Sequence, residues 1–342
     1  MSAERVLLVG GSGQVGRALQ AWWRAHRPTV TVEAPSSRAL SLEHPAAVAA
    51  AVRAMRPAVV VNCAAYTRVD DAEQEPARAA AVNAEGAGAL AEAAAAVGAR
   101  LVHLSTDYVF DGRSGAPYAP DAPTNPLGVY GRTKREGELA VLAAHPGAVV
   151  LRTAWVHSAT PPNFVATAVR RLREGRVMRV VSDQVGTPTR AATLARVIDA
   201  VVRGGRGEGE VWVGGSVSVG VGVGELGGVL HVTDSGVASW YDVACAVYEL
   251  LGARGALGDG AGVVPVPTSE VVRPAPRPVM GVLDCHATWR ALGFAPPHWR
   301  VGVAATVDAL LGELRGALPG ELPGELPAAR DGDTAPRGGA HG

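Results

Sequence analysis

A tyrosine and a lysine four residues apart, Tyr130 and Lys134, are the residues of this sequence best suited to move a proton. A phenol with a pKa near 10 is a poor acid or base at about pH 7 unless a nearby cation stabilises its phenolate. Residues four apart share a face of a helix, and Lys134 is the only lysine among the 32 basic residues. We therefore predict a catalytic pair; the alternative is a core tyrosine beside a solvated lysine.

A glycine-rich turn near the N-terminus predicts a dinucleotide site. Strand-like residues 5–9 lead into Gly-Gly-Ser-Gly-Gln-Val-Gly at 10–16, and a helix-like segment follows. Glycines allow a tight turn and close approach of the backbone to a pyrophosphate, and the helix N-terminus favours the phosphate charge. The predicted cofactor contacts in this turn are Gly10, Gly13, Gln14, Val15 and Gly16. Glycines also form ordinary loops, so the prediction depends on the position between a strand and a helix.

The end of the second predicted strand bears on the choice between NADPH and NADH. Glu33 could bind the ribose hydroxyls of NAD, but Ser37 and Arg38 follow closely and suit a 2′-phosphate, to which arginine offers bidentate donors. We expect NADPH, with NADH possible. The alternative for Arg38 is a solvated loop charge.

Thr106, Asp107 and Tyr108 directly follow another predicted strand. Open α/β sheets bind their ligands at the carboxyl ends of the strands, so these side chains should meet the substrate.

The predicted catalytic and cofactor-binding residues are far apart in the sequence, so the fold must bring the ends of several strands together. The sequence predicts strands at residues 5–9, 30–33, 58–62, 101–105 and 148–152, alternating with helices at 14–25, 45–55, 76–97 and 129–144. Such alternation predicts an α/β fold with a doubly wound, parallel Rossmann-type sheet.

The second half predicts a smaller C-terminal substrate-binding lobe. It contains predicted helices at 163–174, 189–202, 239 onward and 302–317, and a strand at 178–181. We expect an NADP(H)-binding domain at 1–160, the lobe at 161–317 with some segments returning to the sheet, and a disordered tail at 318–342. Residues 204–228 are predicted to be a hairpin or irregular insertion without assigned function.

Composition excludes several other classes of protein. The 32 basic and 32 acidic residues balance, so no basic field attracts nucleic acid or a membrane. No basic leader precedes an apolar stretch and no apolar run is long enough to span a bilayer, which predicts a cytoplasmic protein. Three scattered cysteines predict core thiols rather than disulfides or a zinc site, and no metal is expected.

Longer motifs show a resemblance to a known family. They are Gly-Gln-Val-Gly (13–16), Asn-Cys-Ala-Ala-Tyr-Thr-Arg-Val-Asp (62–70), Ser-Thr-Asp-Tyr-Val-Phe-Asp-Gly (105–112), Arg-Thr-Ala-Trp-Val (152–156) and Asp-Gln-Val-Gly-x-Pro-Thr (183–189). With the glycine turn, Thr106 and the Tyr130/Lys134 pair, the chain resembles the extended short-chain dehydrogenase/reductases. Over residues 6–305 it is similar to the dTDP-4-dehydrorhamnose reductase family.

The resemblance implies an oxidoreductase that reduces the C4 ketone of dTDP-4-dehydro-6-deoxy-L-mannose, a dTDP-4-keto-6-deoxy sugar, to dTDP-L-rhamnose. It implies that Tyr130 protonates the alkoxide, that Lys134 tunes Tyr130 and holds the cofactor ribose, and that Thr106 binds the substrate oxygen. Further cofactor contacts would be Ala64, Ala65, Tyr66, Tyr130 and Lys134. The residues expected to bind substrate are Thr106, Asp107, Tyr108, Trp155 and Asn163.

Departures from the family pattern leave alternatives open. Related dehydratases resemble a Thr-Asp-Glu pattern, whereas Tyr108 takes the third place here, which favours reduction. Some bacterial members share magnesium between subunits through acidic residues where this chain has Arg17 and Arg190, so we expect a monomer or a metal-free homodimer. His157 and residues 204–228 leave the exact sugar open, and reduction of another dTDP-deoxysugar is the next hypothesis. A non-catalytic NADP-binding regulatory subunit, similar to the methionine adenosyltransferase β subunit, is a third.

Overall fold

A computed structural model of the protein describes residues 4–204, 227–293 and 295–316. In chain order its first half contains β1 (Arg5–Val9), α1 (Gln14–His26), β2 (Thr31–Glu33), α2 (Pro45–Met55), β3 (Val59–Asn62), α3 (Val69–Ala72), α4 (Pro76–Ala80), a π-helical turn (Ala81–Glu85), α5 (Gly86–Ala96), β4 (Arg100–Thr106), a 3-10 turn (Asp107–Val109), α6 (Val129–Ala144) and β5 (Val149–Thr153).

The elements of the second half are shorter and more mixed. They are β6 (Val156–His157), α7 (Phe164–Arg173), β7 (Val177–Val181), β8 (Val185–Gly186), β9 (Thr189–Arg190), α8 (Ala191–Val202), β10 (Gly228–His231), β11 (Ala238–Ser239), α9 (Trp240–Ala253), β12 (Gly262–Val266), a 3-10 turn (Thr268–Glu270), α10 (His286–Leu292) and α11 (Trp299–Gly316).

Six parallel strands form the main sheet, in the order β10-β5-β4-β3-β1-β2. The chain builds outward from β1 to β2 and then returns to β3 on the other side of β1, so the order reverses between β1 and β3. In doubly wound folds ligands bind at such a reversal, outside the carboxyl ends of the strands. The predicted α/β, Rossmann-type fold is confirmed.

Helices cover both faces of this sheet because its strands alternate apolar side chains between the two faces. Leu8 of β1 packs with Leu19 of α1 and Ile198 of α8 on one face. The neighbouring Leu7 packs on the opposite face with Val52 of α2 and with α5 and α6. The sheet is therefore buried on both sides.

A second apolar core lies beyond the sheet. It joins α7, α9 and α11 with the two-stranded sheet of β7 and β12, through residues such as Leu172, Val247 and Val303. Two elements of the second half contact the main sheet: β10 pairs with β5, and α8 packs on β1 and α1. The division into domains at residues 160 and 317 stays a prediction.

Element boundaries agree with the predicted ones to within one or two residues in most cases, with clear exceptions. The single helix predicted at 76–97 is wrong, because the chain breaks into α4, a π-helical turn and α5. The last helix begins at Trp299, three residues earlier than predicted, and the predicted start of a helix at Thr189 is instead the short strand β9. The predicted tail at 318–342 and most of the predicted insertion at 204–228 lie outside the described residues.

Within the described residues, no helix combines the length and apolar character that a membrane crossing requires. The cytoplasmic location stays a prediction.

Candidate active site

The glycine turn between β1 and α1 is shaped by the backbone that surrounds it. Gly10 has φ +82°, and a Cβ there would lie 2.5 Å from the amide nitrogen of Ala64. A Cβ on Gly16 would lie 2.3 Å from the carbonyl oxygen of Gly10. Both positions therefore require glycine for the fold itself.

Gly13 is different, because a Cβ there would meet nothing closer than 3.4 Å. Gly13 is the N-cap of α1 and offers no side chain to the first backbone N–H groups of that helix. A helix N-terminus left open in this way suits a phosphate. The turn therefore has room for a pyrophosphate, and the contacts of Gly10, Gly13, Gln14, Val15 and Gly16 with a cofactor stay predictions.

A cavity of about 530 Å³ opens beside this turn. It joins the carboxyl ends of β1 and β3 to the loop after β2. Of the residues predicted to contact cofactor, it is lined by Gly10, Ser37, Ala64, Ala65 and Tyr66. The structure therefore brings together residues from three separate segments of the sequence at the point where the strand order reverses.

Arg38 and Glu33, which bear on the choice of cofactor, are placed differently. Glu33 is ion-paired with Arg5 at 2.9 Å. Arg38 is exposed next to the cavity-lining Ser37, and within the described part of the chain it has no ion pair or hydrogen bond. The Arg38 guanidinium is therefore free to bind a ligand at this end of the cavity, whereas the Glu33 carboxylate is already paired with Arg5.

Helix α6 carries Tyr130 and Lys134 one turn apart, as the sequence predicts. Its first backbone N–H, on Val129, donates to the Glu73 carboxylate at 2.7 Å. A Cβ on Gly131 would lie 2.1 Å from the carbonyl oxygen of Tyr108, so the helix rests directly on the turn after β4. These contacts set the start of α6, and therefore Tyr130, against the carboxyl end of the sheet.

Thr106 lies between Tyr130 and Asp107. Its hydroxyl donates to Asp107 Oδ1 at 3.1 Å and accepts from the backbone N–H of Tyr108 at 3.2 Å. Burial raises the pKa of Tyr130, and hydrogen bonding with Thr106 partly offsets this effect. The Tyr108 ring meets that of Tyr130 edge to face, with 5.4 Å between centroids. The structure therefore joins Thr106, Asp107, Tyr108 and Tyr130 in one cluster.

Asp107 is buried, with no hydrogen-bond partner for Oδ2 among the described residues. Burial raises the pKa of its carboxyl group to about 7, against hydrogen bonds that lower it. An unsatisfied buried oxygen costs free energy unless something binds it. Asp107 is thus placed to accept a ligand hydroxyl or to hold a proton.

Lys134 is almost fully buried, and its Nζ donates to the carbonyl oxygen of Leu104 at 2.7 Å. Burial lowers the pKa of Lys134 to about 8, although the Glu138 carboxylate acts in the opposite direction. Nζ also lies 3.4 Å from Nε2 of His103. Lysine is thus held at the end of β4 rather than in solvent, which excludes the alternative of a solvated charge.

Glu138, one turn after Lys134, anchors α6 to the sheet. Its carboxylate accepts from Arg152 Nε at 2.8 Å and Nη2 at 2.7 Å, from Arg135 at 2.8 Å and from the Ser105 hydroxyl at 2.6 Å. These charge-assisted hydrogen bonds hold the pKa of Glu138 below its usual range despite burial. The residue was not predicted, since its partners lie on three different elements.

Trp155 and Asn163 were predicted to bind substrate. Trp155 stacks on Trp240, with centroids 3.6 Å apart, and has a positive φ of 48°. Asn163 is the N-cap of α7, accepts from the backbone N–H of Ala166 and donates to Gln14 Oε1 at 3.0 Å. The structure thus ties Asn163 to the glycine turn, and contacts of Trp155 and Asn163 with a substrate stay predictions.

Two further residues near the site were not predicted from the sequence. Asn83, in the π-helical turn, accepts from the backbone N–H of Tyr66 at 2.8 Å and donates to Thr133 of α6 at 3.1 Å. Arg277 pairs with Asp70 at 2.9 Å, and its guanidinium lies 5.8 Å from the Tyr108 ring centroid. The sequence offered one signal for each residue. Asn83 interrupts an alanine-rich run, and Arg277 lies in a proline-rich loop.

Within residues 4–204, 227–293 and 295–316, no group of three or more histidine, cysteine, aspartate or glutamate side chains could hold a metal ion. The absence of a metal stays a prediction.

Comparison with known proteins gives consistent matches along the chain. The RmlD substrate binding domain family matches residues 4–311. A probable dTDP-4,6-dihydroxy-2-methyloxan-3-one 4-ketoreductase of Streptomyces antibioticus is 44% identical over 303 residues, which cover 86% of this chain and 92% of the relative. A dTDP-4-dehydrorhamnose reductase of Streptomyces griseus is 43% identical over 310 residues, covering 90% of this chain and 94% of the relative.

A solved structure is also similar. The crystal structure of dTDP-4-dehydrorhamnose reductase from Bacillus anthracis in complex with NADP superposes with a TM-score of 0.77 at 30% identity, covering 90% of this chain and 99% of that one.

Proposed function

The chain belongs to the dTDP-4-dehydrorhamnose reductase family, which makes it an NAD(P)H-dependent oxidoreductase acting on a dTDP-linked keto sugar, and on that premise we propose its reaction. It reduces the C4 ketone of dTDP-4-dehydro-6-deoxy-L-mannose with NADPH, forming dTDP-L-rhamnose. One observation is the main support for this proposal. Thr106, Tyr130 and Lys134 all lie at the carboxyl end of β4, beside a turn of the dinucleotide-binding type.

The residues of the site divide the chemistry between them. A nicotinamide cofactor bound at the glycine turn would provide the hydride for C4. Tyr130 gives its phenolic proton to O4 as negative charge develops there, since the raised pKa of the buried phenol keeps it protonated until then. Thr106 orients Tyr130 and hydrogen-bonds the same substrate oxygen. Lys134, when charged, stabilises the tyrosinate that remains.

The cofactor would lie in the cavity beside the glycine turn. Gly10 and Gly13 would accommodate the pyrophosphate, and Ala64, Ala65 and Tyr66 would line the path of the adenosine half. Arg38 would meet a 2′-phosphate, and the pairing of Glu33 with Arg5 supports NADPH over NADH.

The substrate would lie over the turn after β4. Asp107 Oδ2, which is buried and has no partner within the described residues, would accept a sugar hydroxyl, and Trp155 would pack against the sugar ring. Arg273 and Arg277 oppose the effect of burial on the pKa of Tyr108, so their positive charges act at the site and would suit the diphosphate of the sugar nucleotide.

Reduction of another dTDP-deoxysugar is the second candidate. It is favoured by the 44% identity to a relative named for a different 4-ketoreductase. The regulatory-subunit hypothesis is weaker, because Thr106, Tyr130 and Lys134 are all present and Thr106 lies next to Tyr130. With arginines at positions 17 and 190, we propose a monomer or a metal-free homodimer.

The test is oxidation of NADPH with dTDP-4-dehydro-6-deoxy-L-mannose generated in situ, with NADH and with dTDP-4-keto-6-deoxy-D-glucose as comparisons. Product configuration at C4 is read by NMR, and Tyr130→Phe measures background oxidation. We expect fast NADPH oxidation and dTDP-L-rhamnose. Preferred turnover of the glucose-derived ketone would establish the second candidate instead, and NADPH binding without turnover of either ketone would favour the regulatory role.

A further inference from the structure

Three buried polar side chains form a line beneath α6. They are Asn62 at the end of β3, His103 in β4 and Lys134 in α6, and each is no more than 2% exposed. Asn62 Nδ2 lies 3.0 Å from His103 Nδ1, and His103 Nε2 lies 3.4 Å from Lys134 Nζ. The roles proposed above for Lys134 do not require the other two residues.

The hydrogen bonds fix the tautomer of His103. The backbone N–H of Ala64 donates to Asn62 Oδ1 at 3.1 Å, so the amide nitrogen of Asn62 must be the atom that faces His103. An amide nitrogen can only donate, which makes Nδ1 of His103 the acceptor. Burial and the charge of Lys134 both keep the pKa of His103 well below its ordinary value, so the ring is neutral. Its single N–H therefore lies on Nε2 and faces Lys134.

This N–H cannot form a hydrogen bond with an ammonium group, but it can donate one to a neutral amine. A protonated lysine has only donors, whereas a neutral amine has a lone pair that can accept from His103 Nε2. The carbonyl oxygen of Leu104 accepts from Nζ at 2.7 Å in either state. His103 therefore favours loss of the lysine proton.

The other groups around Nζ do not remove this preference. Cys63, at the end of β3, is a neutral thiol, since burial raises its pKa to about 12. Tyr130, one turn before Lys134 on α6, is likewise neutral because burial raises its pKa, and it exerts no charge on Nζ. Glu138 on α6 favours the ammonium, but its charge is largely met by Arg152 of β5 and by Arg135.

We propose that His103, held by Asn62 in its Nε2–H tautomer, is a positioning residue that lets Lys134 release a proton during turnover. After Tyr130 has protonated the substrate oxygen, a proton released by Lys134 restores the phenol. The amine that remains accepts a hydrogen bond from the His103 N–H, and a proton taken up from solvent later restores the ammonium. The use in turnover rests on the proposed reductase function, whereas the protonation state of Lys134 does not. An arginine could not serve, because a guanidinium does not deprotonate in proteins.

The single lysine of the chain makes a direct test possible. Lysine isotopically labelled at Cε gives one side-chain NMR resonance, which is followed against pH in the cofactor-free protein. We expect a midpoint near 8. A midpoint near the ordinary lysine value of about 10.4 would overturn the proposal.

Two variants test the part played by His103, because burial alone also lowers the pKa of a lysine. In His103→Gln the amide can turn its oxygen toward Nζ. In Asn62→Asp the carboxylate still accepts from Ala64 and can only accept from His103, so the ring proton moves to Nδ1 and the Nε2 lone pair faces Lys134. Both should raise the proton affinity of Lys134 roughly tenfold or more, a shift of about one pH unit. His157→Gln, at another buried histidine, is the control and should leave the resonance unchanged.

Two further readouts separate the possible outcomes. Nitrogen NMR of the wild-type imidazole should show the proton of His103 on Nε2, and a proton on Nδ1 would overturn the proposal even if neither variant folds. In the reductase assay, the alkaline limb of the kcat profile of His103→Gln should move with the NMR midpoint. An unmoved limb would refute the role in turnover, and an unmoved midpoint would refute the effect on Lys134. If no keto sugar is reduced, the NMR titration still decides the latter.

Discussion

Substitution of Tyr130, the proposed proton donor, is the most direct test of the site. Tyr130→Phe removes the only atom of that side chain able to donate to the substrate oxygen, while its ring remains against Tyr108. We expect kcat to fall by a factor on the order of a hundred or more, because general acid catalysis commonly contributes that much. The measurement is NADPH oxidation together with NADPH binding, which should be retained.

Tyr248→Phe is the matched control, since Tyr248 packs in the separate core of α7, α9 and α11. A Tyr130→Phe rate within about threefold of wild type would mean that another group donates the proton.

Asp107 should give the protein a distinctive dependence of stability on pH. Burial raises the pKa of its carboxyl group to about 7 in the folded chain, whereas an unfolded aspartate titrates near about 3.9. Between these values the folded state holds a proton that the unfolded state has lost, so the free energy of unfolding falls as pH rises. Asp107→Asn should remove this decline and be the more stable protein at pH about 7, by on the order of a few kcal/mol at most.

Urea denaturation at a series of pH values measures this effect. Asp121→Asn changes an exposed carboxylate in the same region of the chain and should leave the slope with pH as it is in the wild type. Parallel stability curves for the wild type and Asp107→Asn would contradict the prediction.

Some site residues could be predicted from the sequence because their separation along the chain is enough to identify them. Tyr130 and Lys134 lie one helical turn apart, and Thr106 directly ends a strand, so no tertiary contact was needed to single them out. Asn83 and His103 could not be predicted as part of the site. Their partners are 17 to 50 residues away in one case and 31 to 41 in the other, and only the fold joins them.

At the scale of the element, the position of α6 depends on glycines that allow close packing. Gly131→Ala would bring a Cβ within 2.1 Å of the carbonyl oxygen of Tyr108, which is backbone and cannot move aside alone. We expect α6 to shift, with a loss of stability of about 1–3 kcal/mol from overpacking and a larger loss of activity than of NADPH binding. Thermal unfolding and kcat are the measurements.

Gly252→Ala makes the same change in α9, where a Cβ would meet no atom within 4 Å. It should stabilise the protein by about 0.5–1 kcal/mol, because alanine has the higher helix propensity. Equal effects of the two substitutions would show that α6 tolerates the added methyl group.

The single helix predicted at 76–97 is wrong because helix propensity alone does not decide the structure there. An alanine-rich run has strong helix propensity throughout, which favours one continuous helix. The structure inserts a π-helical turn at Ala81–Glu85, where Asn83 bonds both the Tyr66 backbone and Thr133. Tertiary hydrogen bonds at a functional edge thus override a local preference, a common setting for such turns. The first five strands of the main sheet, set by runs of buried β-branched residues, were predicted to within about one residue, whereas the sixth, β10, was not predicted.

At the scale of the whole molecule, cofactor preference should appear in overall stability. A ligand that binds only the folded state stabilises it in proportion to its affinity. NADPH should therefore raise the melting temperature more than NADH at equal concentration. Arg38→Ala should abolish most of that difference, since a charge-assisted hydrogen bond to phosphate contributes roughly 1.5–3 kcal/mol, or about tenfold to a hundredfold in affinity.

Arg53→Ala removes an exposed arginine from α2 and should leave the difference between the two cofactors intact. An Arg38→Ala protein that still prefers NADPH would place the 2′-phosphate elsewhere in the cavity.

The two halves of the chain are linked at the glycine turn. Gln14 of α1 accepts hydrogen bonds from Ser158 and Asn163, and Asn163 caps α7 of the second core. The sequence predicted both Gln14 and Asn163 as site residues but could not indicate that they bind each other. Movement of the turn on cofactor binding would therefore reach α7 through a single side chain.

The stacked indoles of Trp155 and Trp240 give the molecule a built-in optical probe. Two of the seven tryptophans lie face to face at 3.6 Å and 8°, one in the loop after β5 and the other at the start of α9. Rings in such contact perturb each other's absorption and emission, and a sugar ring laid against Trp155 would change that perturbation. Occupancy of the substrate site could thus be followed by intrinsic fluorescence on the unlabelled protein, without any turnover of cofactor.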